Sequence, residues 1–188
     1  MSSFSRFSLL AVFLLAFANT SQAGVVLCSE NPQLNRMSID DSLVSACLAS
    51  GLGNINGNND AFQQSHSDYA LASKSDAANP FGISFIQDGD EGLWSFGADF
   101  WDTNSAGAIA FKFGTGNTPD SWFVFALNQG VTGGAWNFLP SEDARGGGLS
   151  HVNLYGIAKV EQEVPEPAGG VLMLLGLTGL LVARRIKS

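Results

Sequence analysis

Ser121-Trp122-Phe123-Val124-Phe125-Ala126-Leu127-Asn128 decides how this chain folds. Read with a period of two, Phe123, Phe125 and Leu127 fall on one face and Trp122, Val124 and Ala126 on the other. Both faces are apolar, which predicts a strand covered on both sides in the middle of a sheet. The same alternation recurs nearby. In residues 92–101, Trp94, Phe96, Ala98 and Phe100 oppose Leu93, Ser95, Gly97 and Asp99; in residues 106–113, Ile109, Phe111 and Phe113 oppose Ala108, Ala110 and Lys112. Residues 81–87, 135–139 and 149–161 complete a set of strands separated by Gly, Asn, Asp and Pro. Short strands, short connections and no long helix between them predict an all-β fold, an antiparallel β-sandwich of jelly-roll-like form.

The ends of the chain read differently. Arg6 precedes an apolar stretch over residues 7–18, and Ser21-Gln22-Ala23 offers small residues where a signal peptidase reads, so residues 1–23 are expected to be a secretory signal cut between Ala23 and Gly24. Val164-Pro165-Glu166-Pro167 leads into an apolar run over residues 168–183 that ends at Arg184, Arg185 and Lys187. As a helix that run measures about 24 Å, short of the roughly 30 Å hydrocarbon core, so it crosses only with bilayer thinning and snorkelling of the basic end. By the positive-inside rule the basic stop is cytoplasmic and the prolyl elbow lies on the far face. The prolines hold that elbow extended and accessible. The competing readings are a plain C-terminal anchor and a buried core helix. Thr178 is the only polar residue in the run, which leaves a core helix without a polar face. Between the ends, residues 24–163 amount to one domain.

The chain has 17 acidic and 9 basic residues, three of the latter in the C-terminal stop, so the exported body is strongly acidic. No basic stripe offsets that field, and nucleic acid is not an expected partner. The two cysteines, Cys28 and Cys47, lie near the start of the exported part, where an oxidising compartment favours a disulfide over two buried thiols. Between them Ser38-Ile39-Asp40-Asp41 has the features of a capped helix start, yet residues 42–48 suit a strand equally, and both readings stand. Residues 51–60 read as a solvated loop rich in Asn-Gly turns, without calcium-loop spacing. Residues 62–79 show no clear pattern.

Candidate chemistry is sparse. Asp88-Gly89-Asp90-Glu91 places three carboxylates between two strands; a hairpin turn is the favoured reading over a calcium site. Two converging acids would suggest glycoside hydrolysis, but the sequence identifies no such pair. His66 and His151 are the only histidines, and His151 on its strand reads as structural. No cofactor, metal or enzymatic activity is expected. Trp94, Trp101, Trp122 and Trp136 could form a sugar-stacking platform, though most tryptophans in a small sandwich belong to its core. Trp101 falls opposite the Trp94 face at the end of its strand, so it is the expected exposed glycan contact.

The tail, with its prolyl elbow, apolar run and basic stop in that order, resembles the PEP-CTERM sorting signal of exported bacterial proteins. The run Trp122 to Leu127, then Gly134-Ala135-Trp136-Asn137-Phe138, then Leu149-Ser150-His151-Val152-Asn153-Leu154-Tyr155-Gly156, resembles the body found in many proteins with that tail. The resemblance implies processing at Pro165, Glu166 and Pro167 by an exosortase-type enzyme in the inner membrane, a transient stay there, and delivery to the cell surface or extracellular matrix. For the body the resemblance implies a β-sandwich; the role expected of it is non-enzymatic, structural or in interaction. The alternative is a carbohydrate-binding module with extracellular polysaccharide as partner; exposed aromatics on one sheet face would favour the module, and buried ones a scaffold.

Overall fold

A computed structural model describes residues 24–29, 31, 33–57, 60–114, 120–141, 147–160 and 173. Among them, ten strands and two short helices follow in the order β1 (Val25–Cys28), β2 (Arg36–Asp40), β3 (Val44–Leu52), α1 (Ala61–Ser65), β4 (Ala70–Lys74), β5 (Ser84–Asp88), β6 (Glu91–Ser95), α2 (Phe100–Thr103), β7 (Asn104–Phe113), β8 (Ser121–Leu127), β9 (Gly133–Leu139) and β10 (Leu149–Ala158). The described residues up to Ile157 form one compact unit, and those from Ala158 onward belong to a second. The sheets lie in the first unit, apart from the last residue of β10. The chain is all-β. Its strands make two antiparallel five-stranded sheets, ordered β1-β2-β9-β6-β5 and β3-β8-β7-β10-β4.

The two sheets share one apolar core, as in a sandwich. Alternation puts Met37, Ile39, Trp94, Trp136 and Phe138 of the first sheet inward, against Ile109, Phe111, Phe113, Phe123, Phe125, Leu127, Val152 and Leu154 of the second. Aromatic rings bridge the layers: Phe113 stacks on Phe138 with centroids 4.2 Å apart and meets Trp136 edge-on at 5.4 Å. The opposite face of the second sheet is covered as well. There Ala108, Ala110, Trp122, Val124 and Tyr155 pack beneath Ile55 and Phe62. Strand β8 therefore lies between β3 and β7 with both faces buried, as its two-sided apolar pattern requires.

Gly92 is fixed by close approach. A Cβ there would run into the Ile86 carbonyl of the neighbouring strand and lie 2.6 Å from Trp136 Cζ2, so the indole occupies the space a side chain would need.

Cys28 and Cys47 form a disulfide with Cα atoms 5.1 Å apart. It joins β1, at one edge of the first sheet, to β3, at one edge of the second. Closing this 19-residue separation removes about 3 kcal/mol of chain entropy from the unfolded state in the loop-closure account.

One open reading is decided, and other stretches differ from the expectation. Residues 38–48 are strand, turn and strand: Met37 and Ile39 alternate into the core, and that period prevails over the cap-like Ser38. The run 92–101 is not one strand. It ends at Ser95, and the chain turns at Ala98-Asp99 into α2, so Phe100 and Trp101 both point inward. The stretch 62–79, which shows no clear pattern in the sequence, contains most of α1 and all of β4. Among the described residues no helix is long and apolar enough to cross a membrane. The run 168–183 lies outside them except for Met173.

Candidate functional site

Two surfaces gather polar side chains, one on the outer face of each sheet. On the second sheet, the chain between β3 and β4 lies across β10 and is fastened by a buried network. Asp60 caps α1, its Oδ1 accepting the backbone N–H groups of Phe62 at 3.0 Å and Gln63 at 3.1 Å. Its other oxygen accepts the Tyr155 hydroxyl at 2.6 Å. Asn153 Nδ2 donates to that hydroxyl oxygen and to the Ile55 carbonyl, each at 2.9 Å. Burial, with the hydrogen bond to Asp60 next, pushes the Tyr155 phenol well above its ordinary range, so it stays a donor at any physiological pH. Sequence reading placed Asp60 in a solvated loop. The missed signal is Asp60-Ala61-Phe62-Gln63, a cap residue with Gln three positions on.

Beside this network lie three nitrogen-bearing side chains. Lys74 pairs with Asp76 at 2.7 Å, Lys112 pairs with Asp120, and His151 Nδ1 is 4.0 Å from Asp76 Oδ2. His151 is buried, as a structural reading of it requires. Burial pushes its pKa below the usual 6.5; the Lys74 ammonium adds to this, the Asp76 carboxylate opposes it and Lys112 reinforces it. An unfolded chain therefore takes up a proton near pH 6.5 that the folded chain resists. Stability from this group is complete above pH 6.5 and falls as pH drops from there towards the lower folded pKa. Urea unfolding across this range should show that loss. His151→Gln should flatten it, and an unchanged acid slope in that variant would assign the loss elsewhere.

The outer face of the first sheet is open. Cross-strand register aligns Ile86 with Leu93 and Leu93 with Ala135. Ile86 is 66% exposed and Leu93 54%. A hollow of about 350 Å³ lies on one side of this row, bordered by Ser84 and Ser95, and one of about 370 Å³ on the other, bordered by Asp88, Glu91 and Asn137. Asp88-Gly89-Asp90-Glu91 is a tight hairpin turn in which Asp88 and Glu91 are cross-strand partners and Gly89 takes φ +61°. Among the described residues no three His, Cys, Asp or Glu side chains gather as a metal site.

Trp101, the expected exposed glycan contact, is a correction. It is 8% exposed, and its Nε1 donates to the Val131 carbonyl at 2.8 Å, because the turn into α2 carries it inward. Trp94, Trp122 and Trp136 are buried too. Of the expected cleavage pair, Gly24 is described, one residue before β1, and its carbonyl accepts the Asp41 N–H at 3.0 Å. Ala23, Pro165, Glu166, Pro167, Arg184, Arg185 and Lys187 lie outside the described residues. Comparison of the chain with models of known families, with curated proteins and with solved structures finds no match.

Proposed function

We propose that this protein is exported by its N-terminal signal, held in the inner membrane by its C-terminal helix, processed by an exosortase-type enzyme at Pro165-Glu166-Pro167, and delivered to the cell surface or extracellular matrix as a non-enzymatic structural or interaction protein. The observation that carries the reading is the tail: prolyl elbow, apolar run and basic stop in the order of a PEP-CTERM signal. Three features of the body support it. The Cys28–Cys47 disulfide suits an oxidising compartment. The first strand begins one residue after Gly24, so cutting there spares the fold. All four tryptophans are spent on the interior, which weighs for a scaffold over a carbohydrate-binding module. Pairing of β2 with β9 and of β3 with β8 supports the jelly-roll-like form of the sandwich.

A plain anchor needs only a hydrophobic span and a basic flank, whereas a sorting signal must also be recognised. Changing Pro165, Glu166 and Pro167 together to Ala should leave a membrane-bound protein with its tail intact. The unmodified chain should be shortened near residue 165 and released from the inner membrane. Fractionation and intact-mass measurement, in a host that has the processing enzyme, decide it. Should both chains keep the tail and stay in the inner membrane, the tail is an anchor only.

A further inference from the structure

We propose that β5 is a self-pairing edge, and that two copies of this chain join their first sheets through antiparallel β5 strands centred on Ile86. This goes beyond the sorting reading and stands apart from it, because the tail variants leave β5 untouched. Strand β5 ends its sheet on the side away from β1, and it carries Ile86, 66% exposed. An edge strand offers unpaired backbone groups to another chain unless something covers them. What selects a second copy of this chain is the register. Ser84, Ile86 and Asp88 share the outer face, with Ile86 at the centre of the five-residue strand.

Antiparallel pairing about Ile86 sets it against itself and sets each Asp88 against the Ser84 of the other copy. The row Ala135, Leu93, Ile86 then continues into Ile86, Leu93, Ala135 of the second copy, bringing the exposed Ile86 and Leu93 of both copies side by side. The rows on either side match as well. Asn137, Glu91 and Asp88 of one copy run into Ser84 and Ser95 of the other, so carboxylates meet hydroxyls. Ser84 and Ser95 share one hydrogen bond at 3.1 Å, which leaves one hydroxyl proton of the two to donate to Asp88. Parallel pairing would place Asp88 beside Asp88, which like-charge repulsion disfavours. The arrangement is isologous and closes as a dimer. With a formal charge of -8 per copy, association should strengthen as salt screens the repulsion.

The test uses the full-length chain exported into an oxidising compartment. Facing residues of an antiparallel pair have Cα atoms about 4.5–5.5 Å apart, within the span of a disulfide. Ile86→Cys should therefore run mainly as a covalent dimer on a non-reducing gel. Val25→Cys, at the opposite edge of the same sheet and 64% exposed, should stay monomeric. In sedimentation of the chain without added cysteines, in mild detergent, the dimer should grow from low to high salt. Ile86→Lys should lose it, because the two ammonium groups would face each other. A monomeric Ile86→Cys, or a Val25→Cys that dimerises equally, overturns the proposal. So does a dimer that Ile86→Lys leaves intact.

Discussion

Replacing Trp136 with alanine should cost about 3–5 kcal/mol, which is a large part of the stability of a domain this size. Trp136 is fully buried and reaches both layers of the core, with its ring centroid 6.1 Å from that of Phe111 and 5.4 Å from that of Phe113. Among the described residues its Nε1 has no hydrogen-bond partner, so the loss counted here is one of packing. The surroundings cannot close the void easily. Gly92 contributes no side chain beneath the ring, and its strand is held by pairing on both sides. Guanidinium unfolding should show a lower midpoint with an unchanged slope. Leu93→Ala, on the exposed face of the same sheet, should change stability by no more than about 0.5 kcal/mol. Equal effects from the two substitutions would mean that the core is not where the sheets place it.

Asp60→Ala should be the most damaging change outside the central core, at about 3 kcal/mol. Loss of the helix cap contributes about 1 kcal/mol, and loss of a charged acceptor for the buried Tyr155 hydroxyl about 2 kcal/mol. Asp60→Asn keeps the shape and caps nearly as well, so it should recover a substantial part of the loss. A double-mutant cycle with Tyr155→Phe isolates the hydroxyl contact, and a coupling energy near zero would remove it from the account.

How far the sequence reached depended on whether apolar alternation alone accounted for the burial. Strands β7, β8 and β9 and the start of β10 were legible because Ile109, Phe111, Phe113, Phe123, Phe125, Trp136 and Phe138 keep a strict period of two against the shared core. The run 92–101 misled because its alternation continues through Ala98 and Phe100. A helical turn and a strand can both bury Phe100, and only tertiary packing chooses between them. That choice also moved Trp101 from surface to interior. Strand β4 was hidden because Ser73 and Lys74 are polar and yet buried: Ser73 accepts the Phe81 N–H, and Lys74 is paired with Asp76. The network around Asp60 was invisible for a related reason. Asp60 lies 95 positions from Tyr155, and what Tyr155 and its near neighbour Asn153 bond to is set by the path of the segment before α1.

The pairing order also sets a timetable. Strands β2 and β3 take their partners β9 and β8 from the far end of the body. A chain that emerges N-terminus first must therefore wait, with its early strands unmatched, until β8 and β9 appear. Such delayed closure is slow, and it leaves strand edges exposed in the meantime. The Cys28–Cys47 bond is different, since both of its ends are present within the first 47 residues. It can form at the outset and keep β1 and β3 within reach of each other, so that the last strands to arrive find half of each docking edge already assembled.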